Sequence, residues 1–417
     1  MKVPTIQVPT NLKTKLAQGH PWVYRNHLAE RVSLPSGAWV KVQSGGWSGY
    51  GLYDAHSPIA IRLFSQRQVP DARWVAGRIR DAWERRAPIR DQATTAFRWL
   101  FGEGDGLPGL TVDLYNEFAV VVAYAGSVET LLPWLVEGLR ATAPLKGILL
   151  RRSSARLAEP AGAQGRGPRQ PESAVSGPEA DHVGVPQRIE TLWGRPPPRD
   201  MIVEEHGLRF RANLFEGQKT GLFLDQRENR RTLEGFSAGR SVLNCFAYTG
   251  GFSLYAARGG ATQVTSVDIA GDALLDAAEN FRLNGFDPDQ HEFTSADVFE
   301  LLQTFGQERR RFDVVVLDPP SLARNKSSLY AALRAYLRLN TLGLQLVARG
   351  GLLVSSSCTS QVSVDAFRDV LAQAGAAANR RLHVIHDAGQ PPDHPVPAHF
   401  PEGRYLKFFV SHVMDVV

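Results

Sequence analysis

Two of the 417 residues are cysteine, Cys245 and Cys358. Cys358 stands in Ser355-Ser356-Ser357-Cys358-Thr359-Ser360, just after an apolar run at 351–356 that reads as a β-strand. A thiol at the carboxyl end of a strand is placed for nucleophilic catalysis. The competing role of a free cysteine is that of a small buried hydrophobe, and Cys245, inside a strand-like run, is assigned that role. A second run, 312–317, ends in Leu317-Asp318-Pro319-Pro320-Ser321. Two prolines stiffen that turn and remove two N–H donors, so Asp318 is expected to be held at a sheet edge facing a cleft.

Three further strand ends carry groups that a ligand could use. The run 241–246 leads into Asn244-Cys245-Phe246-Ala247-Tyr248-Thr249-Gly250-Gly251. The glycine pair allows a tight turn and a close backbone approach, or simply tight helix–strand packing. The G-x-G-x-x-G spacing of a dinucleotide site is missing, which counts against NAD or FAD. Asp268 closes the run 263–269, 18 residues after Gly250. An acid there commonly takes two ribose hydroxyls through charge-assisted hydrogen bonds; capping the next helix is the alternative. Asp297 follows the run 292–296. It is suited to accept from an adenine amino group or, equally, to cap a helix.

These ends need a scaffold. Between the runs lie helical patterns at 251–258, 271–283, 298–305, 327–348 and 364–374. Strand alternating with helix predicts a parallel sheet covered on both faces, with ligands at the carboxyl ends of the strands. Two final runs, 381–386 and 405–411, are joined by Pro/Gly/His-rich residues rather than a helix. They are expected to pair antiparallel.

The remainder reads differently. Residues 1–67 hold short β runs, 38–42 and 59–64, between Gly/Pro/Ser clusters, which suits a small barrel. Asp71 is a plausible N-cap for a helix whose Val75, Ile79, Ala82 and Trp83 share one face; Arg73, Arg78, Arg80, Arg85 and Arg86 cover much of the rest. Strands are read at 110–114, 118–123 and 147–150, with a helix near 128–141. Residues 159–198 contain 8 Pro and 6 Gly and read as a flexible insertion. The expected division is therefore a barrel at 1–67, a basic connecting helix at 68–90, a central α+β domain at 91–200 and an α/β domain at 201–417.

Composition narrows the class. Apolar residues make up 43% and charged residues 21%, ordinary for a globular protein and not for a disordered or fibrous one. The net charge is +5, yet residues 1–100 alone carry 15 basic and 6 acidic side chains. That imbalance suits a polyanionic partner, or a solvated basic surface. Two cysteines 113 residues apart allow neither a disulfide framework nor a CxxC metal site, and no metal is expected. No apolar run approaches membrane-spanning length, and the start lacks a leader pattern, so a cytoplasmic protein is expected.

A parallel α/β sheet with an antiparallel last strand is the layout of class I, Rossmann-like methyltransferases. The segments GQKTGLFLDQRENR (217–230), VLNCFAYTGGFSLYAARGGA (242–261), VTSVDIA (264–270), LDPPSLARNK (317–326), SSSCTS (355–360) and LKTKLAQGHPWVYRNHL (12–28) resemble one family. They are similar to the large-subunit ribosomal RNA cytosine-5 methyltransferases that carry an N-terminal PUA domain. The resemblance spans nearly the whole chain apart from 159–198. It implies S-adenosylmethionine as methyl donor, held by Asn244, Phe246, Tyr248, Gly250, Asp268, Asp297, Val298 and Asp318. It implies Cys358 as nucleophile, Asp318 as its catalytic partner, and an RNA-binding PUA barrel with GHPW (19–22) in its first segment. The RNA-facing candidates are Lys13, Lys15, His20, Trp22, Lys219, Arg227, Arg324 and Lys326. Phosphate contacts are also expected of Arg78 and Arg85, and the family's habit makes a homodimer an expectation.

Cysteine suits cytosine chemistry. Ring aromaticity makes carbon 5 a poor nucleophile; a thiolate adding to carbon 6 makes carbon 5 enamine-like. Such a thiol must ionise, which calls for a cationic or polar neighbour; Arg324, Lys326 and the bound sulfonium are the candidates. One departure stands out: many relatives place a second cysteine beside the Asp318 motif, whereas this chain reads Asp-Pro-Pro-Ser. Relatives that methylate guanine nitrogen share several motifs and need no cysteine. A non-catalytic RNA-binding or assembly factor is a third reading; it predicts no donor binding.

Overall fold

Apolar β-branched runs at 242–245, 264–267 and 314–317, bounded by charged or glycine-rich turns, leave little choice but a sheet buried on both faces. A computed structural model of the chain, describing residues 3–28, 32–152, 189–217, 219–323 and 328–416, contains that sheet within the second of two compact units. The first unit comprises residues 1–207, 212–224 and 392–403; the second comprises 208–211, 225–391 and 404–417. The boundary expected at 200/201 is therefore not the one observed. Residues 212–224 go with the first unit because Thr220 donates to Asp113 at 2.6 Å and shares a 2.8 Å hydrogen bond with Tyr115.

In the first unit, β1 (Thr5–Gln7), α1 (Lys13–Ala17), β2 (Trp22–Tyr24), β3 (Trp39–Ser44), β4 (Trp47–Tyr53) and β5 (Ile59–Ser65) build a five-stranded sheet of order β1-β3-β4-β5-β2. Val23, Val40, Val42, Ala60 and Ile61 are its buried centre. Then α2 (Ala72–Arg85) starts where expected: the Asp71 carboxylate accepts from Trp74 N at 2.8 Å. Val75, Ile79 and Ala82 are buried as the helical spacing required.

After α3 (Ala87–Arg90) comes a second sheet of order β10-β9-β8-β7-β6, made of β6 (Ala96–Phe101), β7 (Leu110–Tyr115), β8 (Phe118–Ala123), β9 (Gly147–Arg152) and β10 (Ile189–Gly194). Its helix α4 is Leu132–Thr142. Two features depart from the sequence reading. β6 was hidden because Arg98 interrupts its apolar pattern; in the fold that arginine is neutralised by a two-pronged contact with Asp113. The stretch predicted as flexible insertion ends in a strand, since Ile189–Gly194 pairs antiparallel with β9. Counting prolines and glycines diluted the Leu192 and Trp193 side chains, which pack against the core. Residues 159–188 of that insertion lie outside the described residues.

Arg86 is a further correction: it does not extend the basic face of α2. Its side chain is 1% exposed and grips Asp105 at 2.7 and 2.6 Å, while donating to the carbonyls of Arg98 and Asp393. Asp105 also accepts from Arg85 and from Phe101 N. Burial alone would raise the Asp105 carboxyl, but the Arg86 hydrogen bond and charge prevail and hold it below the usual range.

After β11 (Met201–Glu205), β12 (Leu208–Ala212) and α5 (Arg227–Glu234), the second unit alternates without interruption. Its elements are β13 (Ser241–Cys245), α6 (Gly251–Arg258), β14 (Gln263–Asp268), α7 (Gly271–Leu283), β15 (Glu292–Ser295), α8 (Val298–Gln307), β16 (Phe312–Leu317), α9 (Leu329–Leu346), β17 (Val347–Ser357), α10 (Val364–Ala377), β18 (Arg380–Ala388) and β19 (Lys407–Asp415). Their spatial order is β15-β14-β13-β16-β17-β19-β18. The first five run parallel, and β19 pairs antiparallel with both β17 and β18, as expected. Strand order reverses between β13 and β16, the place where such sheets bind ligands. Cys245 is buried there in a core with Leu243, Val267, Val315, Leu317 and Leu353, and burial pushes its thiol pKa up.

Replacing Asp105 by Asn should cost about 3–5 kcal/mol, because it leaves the Arg86 guanidinium buried without its counter-charge. Urea unfolding at pH 7 measures this. A depressed native carboxyl stabilises above its unfolded value, about 4, and loses that effect as pH falls through the lower native value. The unmodified protein should therefore lose stability on acidification below about pH 4 more steeply than the Asn variant.

Candidate active site

At the switch in strand order, β13 passes into α6 through a turn whose backbone is unusual. Phe246 and Tyr248 have φ of 61° and 48°, and Gly250 has 76°. Two non-glycine residues in the left-handed region within three positions is strain of the kind that collects at ligand sites. A Cβ on Gly250 would meet that of Ala277 at 2.8 Å, so helix packing and backbone conformation both demand glycine. Of the explanations offered from the sequence, the tight turn and the tight packing are both seen, the packing being against helix α7 rather than a strand.

Asp268 closes β14 beside this turn and is half-buried. One carboxylate oxygen accepts from Tyr248 N at 2.8 Å, the other from Ala270 N at 2.9 Å. It thereby pins the first turn to the second strand, with lone pairs to spare. It does not cap α7, whose N-cap is Ala270. Ile269, next in sequence, is 75% exposed, a large apolar surface beside the acid that the sequence reading did not single out. Asp297, by contrast, does cap a helix: it accepts from Glu300 N at 3.1 Å and is exposed. Val298 is buried.

Asn244 lies deep in the strand end. Its amide nitrogen donates to Ser253 Oγ, which shares a 2.7 Å hydrogen bond with Ser266. Its Oδ1 is buried with no hydrogen-bond partner among the described residues. A buried orphan acceptor has room for a donor from water or from a ligand. A ribose-suited carboxylate, a strained glycine turn, an exposed apolar residue and an unsatisfied amide oxygen fit S-adenosylmethionine, whose sulfonium supplies an electrophilic methyl group.

Beside these ends lie the carboxylate and the thiol. β16 and β17 pair in parallel with Leu317 opposite Ser355, so Asp318 and Cys358 leave the same edge of adjacent strands. The Cys358 sulfur is 3.9 Å from the carbonyl oxygen of Pro319, and the side chain is half-buried. Asp318 Oδ1 accepts from the Gln226 amide at 2.8 Å. Gln226 also donates to Ser356 Oγ, and its own oxygen accepts from Asn229 at 2.6 Å. Neither Gln226 nor Asn229 was singled out, although both lie in the LDQRENR segment; their role shows only when α5 is brought against the sheet. Thr359 couples the two loops: its hydroxyl accepts from Leu322 N, and it is bonded to Ser321 and to the buried Tyr336.

A further group is Lys407, 1% exposed at the start of β19 and opposite Ser357. Its ammonium donates to the carbonyls of Thr359 (2.6 Å) and Tyr405 (2.8 Å). Burial pulls its pKa down to about 8, although the Cys358 charge works the other way. A lone lysine inside the apolar run Tyr405–Phe409 was the available signal.

The RNA-facing expectations divide. Lys13 and Lys15 are exposed on α1, and Lys219 lies 4.7 Å over the Phe223 ring. His20 and Trp22 are corrections: both are buried, His20 against Glu402 and Phe400, Trp22 donating to Glu103 and packing on Phe400. Their aromatic bodies serve a core rather than an open face. Arg227 is likewise a correction, fully buried with its Nε on Glu228. Arg78 and Arg85 are half-exposed but partly neutralised by Asp81 and Asp105. Arg324 and Lys326 lie outside the described residues. Among the described residues no His, Cys, Asp and Glu cluster could hold a metal, and no helix is long and apolar enough to cross a membrane.

Residues 182–402 match the S-adenosylmethionine-dependent methyltransferase family model, and residues 6–66 match that of a PUA-like domain. "Ribosomal RNA large subunit methyltransferase I" of Shewanella denitrificans is 35% identical over 415 residues, covering 98% of this chain and 99% of the relative. "Ribosomal RNA large subunit methyltransferase" of Deinococcus radiodurans is 38% identical over 413 residues, covering 96% and 95%. A methyltransferase solved in complex with SAH has a TM-score of 0.82 at 24% identity, covering 98% and 100%. A SAM-dependent methyltransferase from Streptococcus mutans has 0.81 at 23%, with the same coverage; at such identities the likeness carries the fold. With near full-length relatives at over 30% identity and a methyltransferase model across half its length, this chain belongs to the family of S-adenosylmethionine-dependent large-subunit ribosomal RNA methyltransferases.

Proposed function

We propose that this protein methylates carbon 5 of a cytosine in large-subunit ribosomal RNA through a covalent adduct on Cys358. The observation that carries the reading is the half-buried Cys358 sulfur 3.9 Å from the Pro319 carbonyl, in the turn that bears Asp318. Methylation of a ring nitrogen uses a lone pair directly and gives such a thiol nothing to do. The RNA target comes from the relatives' names and agrees with the basic first hundred residues.

Asn244, Phe246, Tyr248, Gly250, Asp268, Asp297, Val298 and Asp318 are the proposed donor-binding groups, with Asp268 on the ribose hydroxyls. The proposed sequence begins when the Cys358 thiolate adds to C6 of the cytosine, forming a C–S bond and placing the displaced electron pair toward C5 and N3. Asp318 in its protonated form donates to N3, and Gln226 keeps that carboxyl oriented. Once C5 carries its methyl group, loss of the C5 proton restores the ring double bond and breaks the C6–S bond, returning the thiolate. No second cysteine stands beside Asp318 to assist release, since the motif reads Asp-Pro-Pro-Ser; Asp318 or water fills that role. The target base must be single-stranded or flipped out to reach the thiol.

The cytosine reading makes a clear demand on the thiol. Cys358→Ala should lose methyl transfer by at least about 10⁴-fold, the order seen when a nucleophile is removed, while S-adenosylmethionine binding by calorimetry persists. Full activity in that variant would transfer the assignment to a base nitrogen. Mass spectrometry of ribosomal RNA from cells lacking the protein should show one missing 5-methylcytidine; a missing methylguanosine would overturn the assignment.

RNA affinity should fall steeply with salt. Replacing Lys13 and Lys15 by Ala should reduce the slope of log K against log salt by about 1 for each phosphate that these lysines neutralise. An unchanged slope in filter-binding titrations would remove α1 from the RNA interface.

A further inference from the structure

We propose that Lys407 is the positioning residue that keeps the Cys358 sulfur ionised, its buried ammonium serving as the fixed cation at the closed end of the site. This rests on the reading of Cys358 as nucleophile and adds the source of its reactivity.

The sequence offers Arg324 and Lys326, which follow Asp318 in the chain, and the bound sulfonium as that cation. The fold offers another. Lys407 begins β19, and the antiparallel register sets it opposite Ser357, one residue before Cys358. Its Nζ donates 2.6 Å to the carbonyl of Thr359, one residue after Cys358, and 2.8 Å to the carbonyl of Tyr405. The backbone of Lys407 is thus paired just before the cysteine, and its ammonium is tied to the carbonyl just after it and to that of Tyr405. Two of its three N–H bonds are spent on those carbonyls, and a third remains.

A buried ammonium needs a reason. Two carbonyls do not neutralise it, and a methionine would fill the same space at no desolvation cost. The groups facing it from every packed element are few. Cys358 comes from the end of β17, and Arg404, exposed, opposes the lysine's charge from the preceding loop. The buried Tyr336 of α9 feels the charges of both Cys358 and Asp318. Asp225 is engaged by the Tyr405 hydroxyl at 2.9 Å. Of these, the thiol is the group that becomes an anion during the proposed reaction and has the ammonium as neighbour. A cation held close to a thiol lowers its pKa and enriches the thiolate, and a low local dielectric strengthens the effect. The thiol proton leaves to solvent, and the lysine stays charged throughout.

The pairing has a pH window. Burial leaves Lys407 with a pKa of about 8. Below that value the ammonium is present and the thiolate is favoured; above it the cation is lost, and with it the advantage.

Cysteine alkylation tests this without relying on methyl transfer. Iodoacetamide labelling of the folded protein across pH 6–10, read by mass spectrometry at the Cys358 peptide, gives the thiol's titration. The unmodified protein should show a midpoint below the value of about 8.5 for a free thiol, and Lys407→Met should label about tenfold more slowly at pH 7. The two profiles should converge above about pH 8, and Lys407→Arg should retain most of the low-pH reactivity. Calorimetry with S-adenosylmethionine confirms that the variants keep the fold. Equal profiles in the unmodified and Met proteins would overturn the proposal. If the Met variant does not bind donor, the unmodified protein decides alone: a midpoint at or above about 8.5 overturns it. Full methyl transfer by Cys358→Ala would refute the nucleophile reading but leave this titration intact, so the two failures are distinguishable.

Discussion

Parallel pairing of β16 with β17 is the constraint on which the site depends. Strand hydrogen bonds set Leu317 against Ser355, and from there each chain runs on by one and three residues to Asp318 and Cys358. Had the register slipped by one residue, every side chain on β17 would exchange faces. The register is held by burial on both faces: Val315, Leu317 and Leu353 lie in one core with Tyr336, Leu339 and Phe367 from the covering helices, and the alternate residues Val314, Val316, Leu352 and Val354 are buried as well. A buried polar contact reinforces it, with Ser355 Oγ donating to Asn340 of α9 at 2.6 Å. Hydrophobic packing thus has a chemical consequence here, because it fixes where a carboxylate and a sulfur emerge.

From that edge outward the site is a chain of satisfied polar groups. Asn229 holds Gln226, Gln226 holds Asp318, and Thr359 ties the loop after β16 to the loop after β17. Each member is buried or nearly so, and each has a partner whose own position is set by another. Such a network suppresses alternative rotamers and keeps a reacting group oriented before any ligand arrives. The exception is the Asn244 carbonyl oxygen, buried without a partner among the described residues, at the place where the donor is proposed to sit.

The first unit solves a different problem. Its charged residues are numerous, yet two of its buried arginines, Arg86 and Arg98, face inward to Asp105 and Asp113. Buried ion pairs of this kind fix orientation more than they add stability. They leave the solvent-facing positive charge to residues such as Lys13 and Lys15. Counting basic residues therefore overstated the surface open to a polyanion, and the aromatic pair His20 and Trp22 was likewise taken up by packing with Phe400.

The chain alone determined the order of strands and helices in the second unit, the antiparallel close of its sheet and the strand ends that hold Asp268, Asp318 and Cys358. These follow from local rules: apolar periodicity, proline and glycine at turns, and the topology that alternation forces. It also marked α2 correctly, through Asp71 and the spacing of Val75, Ile79 and Ala82. What only tertiary structure decided was which charged side chains go inside. Arg98 in β6, Arg86 and Lys407 are buried against groups from other parts of the chain, Arg227 is buried beside its neighbour Glu228, and Asp297 caps a helix. A charge enters a core only when its partner is already there. Asp113 lies 15 positions from Arg98, Asp105 lies 19 from Arg86, and Thr359 lies 48 from Lys407. No local pattern carries that information, because the energy that permits burial belongs to the contact and not to either residue.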